Sequence, residues 1–290
     1  MNRFAWRVVP MLVVLTVLAG CVPAWRAQQV TKIGQFAVPE CCVVDAKTGK
    51  VYVSNMETDV GAYWADDATG SIAVLNPGGV PANMRWQASA QDAPLHSPKG
   101  MCILDGVLYV ADNTRVLAFP LSDAAQPKPL QGPKGEHLND MATDGVAVYV
   151  SDTAAGVVYR MGRDGVTTIK APAGVNGITF FKGKMFAVSW DLHEVYELDP
   201  AGQGDPVPFG LACHFKTPDG IEVLEDGTFL VSDMHGNRVA AISADRKTVS
   251  TLIEVTTPAD IGLDWRQRLL YVPQFEQDGV SVYRLVPVED

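Results

Sequence analysis

Short apolar runs of five or six residues recur along the chain, each ending in a small polar or acidic residue and followed by a second alternating run. The pattern is written as VYVSNMETDVGAYWADDATGSIAVLN from Val51, LYVADNTRVLAFPL from Leu108 and VYVSDTAAGVVYRM from Val148. It returns as KMFAVSWDLHEVYEL from Lys184, FLVSDMHGNRVAAIS from Phe229 and LYVPQFEQDGVSVYRL from Leu270. With Val53, Val110, Val150, Ala187, Val231 and Val272 taken as equivalent, the offsets are 57, 40, 37, 44 and 41 residues. Self-similarity at about 40 to 50 residues is the signature of four-stranded propeller blades.

Each run is preceded by a further short strand: Cys42 to Asp45, Met101 to Leu104, Met141 to Thr143, Ile178 to Phe181, Ile221 to Leu224 and Ile261 to Asp264. More polar alternating segments, such as Gly165 to Lys170 and Thr248 to Glu254, suit exposed outer strands. No helical periodicity of 10 to 15 residues separates the strands, which argues against a βαβ architecture. The sixth copy is one strand short at Asp290, and Val30 to Ala37 can supply that strand. Closing the ring in this way removes exposed sheet edges. The sequence therefore predicts an all-β protein, a single six-bladed propeller of four-stranded antiparallel blades over Val30 to Asp290.

The first 20 residues read as a targeting segment: Arg3 and Arg7, an apolar run from Val8 to Leu18, then Leu18-Ala19-Gly20-Cys21. The run is shorter than the ~20 residues a membrane span needs. The tetrapeptide resembles the bacterial lipobox, which implies a signal peptide over residues 1–20, lipidation at Cys21 and a polar tether over residues 21–29. In a Gram-negative cell, Val22 after that cysteine, where an Asp would suggest inner-membrane retention, implies an outer-membrane lipoprotein facing the periplasm, with membrane contact through the lipid alone. An ordinary secretory signal is the other reading. In an exported protein Cys41, Cys42, Cys102 and Cys213 can be buried thiols or include one disulfide, and neighbours Cys41 and Cys42 point to opposite faces of one strand. A net charge of −10 with scattered Lys and Arg argues against a nucleic-acid partner.

Candidate chemistry gathers where the chain approaches each innermost strand. The contexts are VPECC, SPKGM, HLNDM, GVNGI, TPDGI and TPADI, so the equivalent positions are Glu40, Lys99, Asn139, Asn176, Asp219 and Ala259. Asn-Gly and Asp-Gly are common turn dipeptides, which accounts for any one of these. Glu40, Asn139, Asn176 and Asp219 together form a hard oxygen set suited to Ca²⁺, or another divalent cation, with water completing the shell. His214, five residues before Asp219, is a candidate base, and His137 and His96 lie near the same mouth. The loops after the second strands add Asn55, Asp112, Asp152, Trp190 with Asp191, Asp233 with His235, and Gln274 with Phe275. The longest of them carries Tyr63 and Trp64 and reads as a lid or specificity loop.

The repeat pattern and the order Glu, Asn, Asn, Asp resemble the senescence marker protein (regucalcin), gluconolactonase and luciferin-regenerating enzyme superfamily, and are similar to the squid-type diisopropylfluorophosphatase. The resemblance implies an axial divalent cation, usually Ca²⁺, and hydrolysis of lactones or phosphoesters. It assigns Glu40, Asn176 and Asp219 as metal ligands and Asn139 as a fourth ligand or substrate contact. With a cation present, Asp219 has two possible jobs, general base toward a water or nucleophile. Lys99, His137 and Trp190 join Asn139 as candidate substrate contacts. Copies such as SPKGMCILDGVLYVADNTRVLAF also resemble NHL repeats, so two classes stand: a Ca²⁺-dependent hydrolase of small lactones or esters, and a noncatalytic propeller binding a ligand or protein partner. Lys99 departs from what a cation site would place beside it.

Overall fold

The computed structural model describes residues 24–59, 61–89, 94–122, 128–129 and 132–288. Residues 1–20 and Cys21, read as signal peptide and lipidation site, lie outside the described residues. Six four-stranded antiparallel sheets are arranged as the blades of a propeller. The innermost strands are β2 (Pro39–Val44), β6 (Pro98–Leu104), β10 (Leu138–Thr143), β14 (Val175–Phe181), β18 (Pro218–Val223) and β22 (Gly262–Asp264). The second strands are β3 (Val51–Asn55), β7 (Val107–Asp112), β11 (Val148–Asp152), β15 (Lys184–Ser189), β19 (Phe229–Asp233) and β23 (Leu269–Gln274). The third are β4 (Ser71–Asn76), β8 (Arg115–Pro120), β12 (Val157–Gly162), β16 (Glu194–Leu198), β20 (Arg238–Ile242) and β24 (Gly279–Pro287).

Burial explains why the second strands are the most legible part of the sequence. Every residue of β3, β11, β19 and β23 is buried, because neighbouring blades cover both faces of each sheet. Such strands read as continuous apolar runs. The outermost strands β5 (Val80–Ala88) and β13 (Gly165–Lys170) are mostly exposed and correspondingly polar. The core is divided into six clusters between adjacent blades. Phe186, Val188 and Val195 of blade 4, for example, meet Ile221, Phe229, Val231 and Ile242 of blade 5. Cys41 packs between blades 1 and 2, whereas its neighbour Cys42 packs between blades 1 and 6, as the pleat requires. All four described cysteines are free; Cys213 is exposed, and burial pushes the thiols of the other three well up.

The ring closes through β1 (Trp25–Ile33), which pairs with β24 from Trp25↔Pro287 to Ile33↔Val280 and completes blade 6. This strand starts five residues before the predicted boundary at Val30, so the second half of the predicted tether is sheet. The reason is its outer position. Most of WRAQQVTKI faces solvent, and a register shift at Val30 breaks the alternation. Trp25 turns inward, is 5% exposed, and donates its indole N–H to Asp226 Oδ2 at 2.8 Å.

Candidate functional site

The six equivalent positions do meet at one end of the channel, but on the first residues of the innermost strands rather than in the loops before them. In blade 1 the pairing steps from Pro39↔Asn55 to Cys42↔Val53, so three steps on β2 oppose two on β3. The same shift occurs at Pro98/Met101, Leu138/Met141, Val175/Ile178 and Pro218/Ile221. These are β-bulges, which bend a strand and re-aim a side chain. The re-aimed residues are Glu40, Lys99, Asn139, Asn176 and Asp219; in blade 6 the bridge Pro258↔Gln274 puts Ala259 at the sixth corner.

Two letters of the repeated motif hold the bulges of blades 3 and 5, and one of the two is present in blade 1 and in blade 2. The serine of VSN or VSD accepts the amide N–H that the bulge frees: Cys41 N–H on Ser54 Oγ (2.9 Å), Asp140 N–H on Ser151 Oγ (2.9 Å) and Gly220 N–H on Ser232 Oγ (2.8 Å). The acid that follows clamps the approach loop. Asp112 accepts the amides of His96 and Ser97, Asp152 those of Glu136 and His137, and Asp233 those of Lys216 and Thr217, all between 2.8 and 3.1 Å. Asp112 and Asp233 are further balanced by Arg115 and Arg238. These three aspartates, which the sequence offers as mouth residues, are therefore committed to backbone support.

Glu40, Asn139, Asn176 and Asp219 are each no more than 8% exposed. Glu40 Oε2, Asn139 Oδ1 and Asn176 Oδ1 are buried without any hydrogen-bond partner. A buried acceptor left unmatched costs roughly 1–3 kcal/mol, so three at equivalent corners of one ring call for a positive partner. Burial, and then the Asp219 carboxylate, push the Glu40 carboxyl well above the usual range. Burial lifts Asp219 to about 7, opposed by a hydrogen bond from Asn176. Among the described residues no three His, Cys, Asp or Glu side chains cluster as a metal site. The set consequently depends on its two amide oxygens, which suits a hard cation rather than Zn²⁺.

Lys99 is 1% exposed, and its ammonium is fully engaged. It donates to Tyr63 O (2.8 Å), Ser97 O (3.0 Å) and Asn113 Oδ1 (2.9 Å), and lies 4.0 Å above the Trp64 ring. Burial pushes its pKa down to about 8, with Glu40 opposing. The loop between β3 and β4 thus crosses the mouth with Lys99 as its pin. Trp64 stacks on His137 of blade 3 at 4.2 Å, Tyr63 meets Phe275 of blade 6 edge-on at 5.1 Å, and Asn113 Nδ2 donates to Ala65 O and Asp66 Oδ1. Lys99 and His137 are accordingly contacts of the covering loop in this conformation. Replacing Lys99 with Met should strand three acceptors, lowering stability by about 2 kcal/mol and speeding proteolysis within residues 56–69; an unchanged cleavage rate would show that the loop is held by other contacts.

The remaining sequence candidates lie over blades 4 and 5. Trp190 is half-buried and meets His235 edge-on at 5.4 Å. His214 is exposed in the turn Ala212–His214, its carbonyl accepting from Arg238, and among the described residues no hydrogen bond joins its ring to Asp219. Sequence reasoning missed a second acidic layer one residue further along the bulges. Asp140 accepts the amides of Met141 and Ile178 at 2.6 Å, and the charge of Asp260 opposes its ionisation. Burial raises both carboxyls well above their ordinary value, and Glu222 to about 8. The signal was the fourth letter of each context: Cys41, Gly100, Asp140, Gly177, Gly220 and Asp260. A cavity of about 980 Å³ lies at the other end of the channel, where Asp140, Glu222 and Asp260 line it but none of the ring residues does. The loop carrying Tyr63 and Trp64 lies over the ring end.

No protein-family model and no curated protein matches the chain. Among solved structures, a gluconolactonase-like protein is similar with a TM-score of 0.67 at 16% identity, over 93% of this chain and 96% of the other. A luciferin-regenerating enzyme gives 0.63 at 14% identity, over 91% and 96%. A catalytically inactive variant of virginiamycin B lyase from Staphylococcus aureus, with quinupristin, gives 0.62 at 14% identity, over 90% and 100%. At these identities the likeness establishes the six-bladed fold.

Proposed function

We propose that this protein is a divalent-cation-dependent hydrolase of small lactones or esters, acting at the ring formed by Glu40, Asn139, Asn176 and Asp219. The observation that carries this reading is the set of partnerless buried oxygens on Glu40, Asn139 and Asn176. A cation such as Ca²⁺ held there would supply Lewis-acid polarisation of the substrate carbonyl. Burial lifts the Asp219 carboxyl to about 7 in the cation-free site; a cation beside it would favour the ionised form, and that carboxylate is the general base of this reading. In hydrolysis it takes a proton from the attacking water as oxygen adds to the carbonyl carbon. It returns that proton to the alkoxide when the carbonyl C–O bond breaks. His214 is the second candidate for this role. Asn139 doubles as an orienting group, and Trp190 lies on the arc of the mouth that the covering loop leaves free. The fold shared with gluconolactonase-like and luciferin-regenerating proteins supports the reading at the level of architecture.

A noncatalytic binding propeller is the second reading, favoured by the loop across the ring. Both are tested by following thermal unfolding of the chain from Ala24 onward during Ca²⁺ titration and assaying it against a lactone and aryl-ester panel. Saturating Ca²⁺ at a thousand times its dissociation constant should add about 4 kcal/mol. No stabilisation by Ca²⁺, Mg²⁺ or Mn²⁺ sinks the cation site, whereas stabilisation without turnover selects the binding reading.

A further inference from the structure

The chain leaves the propeller on the face opposite the ring. Strand β24 starts beside the mouth at Gly279 and ends at Pro287 on the far face, and β1 runs back antiparallel from Trp25. Ala24 is fixed there, accepting the Val288 amide at 2.9 Å, while Trp25 is tied to Asp226 in the turn between β18 and β19. Cys21 precedes Ala24 by three residues, a reach of at most about 11 Å.

That face carries an aromatic and basic sector on an otherwise acidic protein. The turn between β22 and β23 exposes Trp265, at 62% the most open aromatic side chain among the described large hydrophobics. The Arg266 guanidinium lies 5.2 Å from its ring, and Arg266 donates Nη1 to Ala46 O at 2.6 Å, joining this turn to that of blade 1. Around them stand exposed Lys47, Lys50, Arg268 and Arg284. The nearby carboxylates of Asp45 and Asp264 are buried and spent on the amides of their own turns. Glu225 and Asp226, the exposed acids of the adjoining turn, are engaged by Arg268 and by the Trp25 indole N–H.

We propose that this sector docks on an anionic phospholipid surface, with Trp265 at headgroup depth and Lys47, Lys50 and Arg266 against the phosphates. A lipid on Cys21 would hold this face to the same surface. Tryptophan favours the membrane–water interface, and basic residues close to an anionic surface are drawn to it. The anchor supplies the short tether and the sector sets the orientation. The ring mouth then faces away from the membrane, toward soluble substrates.

The full-length lipoprotein, reconstituted in phosphatidylethanolamine–phosphatidylglycerol vesicles carrying brominated acyl chains, should show tryptophan quenching that Trp265→Phe largely removes. The chain from Ala24 onward should sediment with these vesicles and not with phosphatidylcholine vesicles, be released by salt, and lose about five-fold in partitioning for each of Lys47→Gln and Lys50→Gln. Quenching unchanged by Trp265→Phe, or partitioning indifferent to lipid charge and to both lysines, overturns the docking face. Labelled fatty acid should be incorporated in wild type and lost in Cys21→Ser. Its absence in wild type would defeat the anchor reading alone, because the partitioning result does not depend on Cys21.

Discussion

Glu40→Gln should make the cation-free protein more stable while removing its response to Ca²⁺. The native side chain is a buried carboxylate whose Oε2 has no partner and whose ionisation is opposed by burial and by Asp219. A carboxyl with a folded-state pKa above its unfolded value costs stability once the pH exceeds the unfolded value, and the cost grows until the folded value is reached. Glutamine has the same shape without that charge. In chelator the variant should therefore melt above wild type at neutral pH, by about 1–2 kcal/mol, and the gain should vanish toward pH 4. With Ca²⁺ the order should reverse, since wild type gains about 4 kcal/mol at saturation and the variant little. Turnover, where present, should fall by two to three orders of magnitude, on the scale of losing one electrostatic stabiliser. A variant that melts with wild type in chelator and still responds to Ca²⁺ would remove Glu40 from the site. Residues retained at a cost to stability mark function, and this pair of measurements reads that trade directly.

The ring was legible because six copies could be aligned on their second strands. Those strands are covered on both faces and tolerate little but apolar residues, so Val53, Val110, Val150, Ala187, Val231 and Val272 form a reliable register. From that register Glu40, Asn139, Asn176 and Asp219 follow by counting. What could not be counted is long-range. The opposition between the charges of Asp140 and Asp260 spans blades 3 and 6, and nothing local distinguishes their motifs from ordinary turns. Lys99 looked out of place beside a cation because sequence alone does not show Tyr63, Trp64 and Asn113 converging on its ammonium. Asp112, Asp152 and Asp233 were over-read for the opposite reason: an acid at the end of a buried strand looks available until the two amides it accepts are seen. Trp25 was under-read because an outer strand with one solvent face and a bulge at Val30 resembles a polar tether.

Gly177→Ala should cost about 3 kcal/mol, at the upper end for overpacking, and disturb the ring from behind. A Cβ at this position would lie 2.3 Å from the backbone oxygen of Asp219 and 2.9 Å from Gly220 Cα. Both belong to the neighbouring inner strand, so no flexible side chain can move aside. The contact exists because β14 and β18 converge on the channel axis, and glycine alone allows two backbones to come so near. Relief requires moving the bulge that aims Asp219, so the variant should lose Ca²⁺ affinity as well as stability. A drop in melting temperature of about 6–12 °C follows from 3 kcal/mol in a domain of this size. Gly183→Ala is the matched control: it sits in an open turn at φ +77° with nothing within 4 Å, so it carries only the left-handed backbone penalty of about 1 kcal/mol and should leave Ca²⁺ binding intact. If both variants melt together, the close approach of the inner strands is not what holds the ring; if Gly177→Ala alone also loses the cation response, the spacing between β14 and β18 is what sets the position of Asp219.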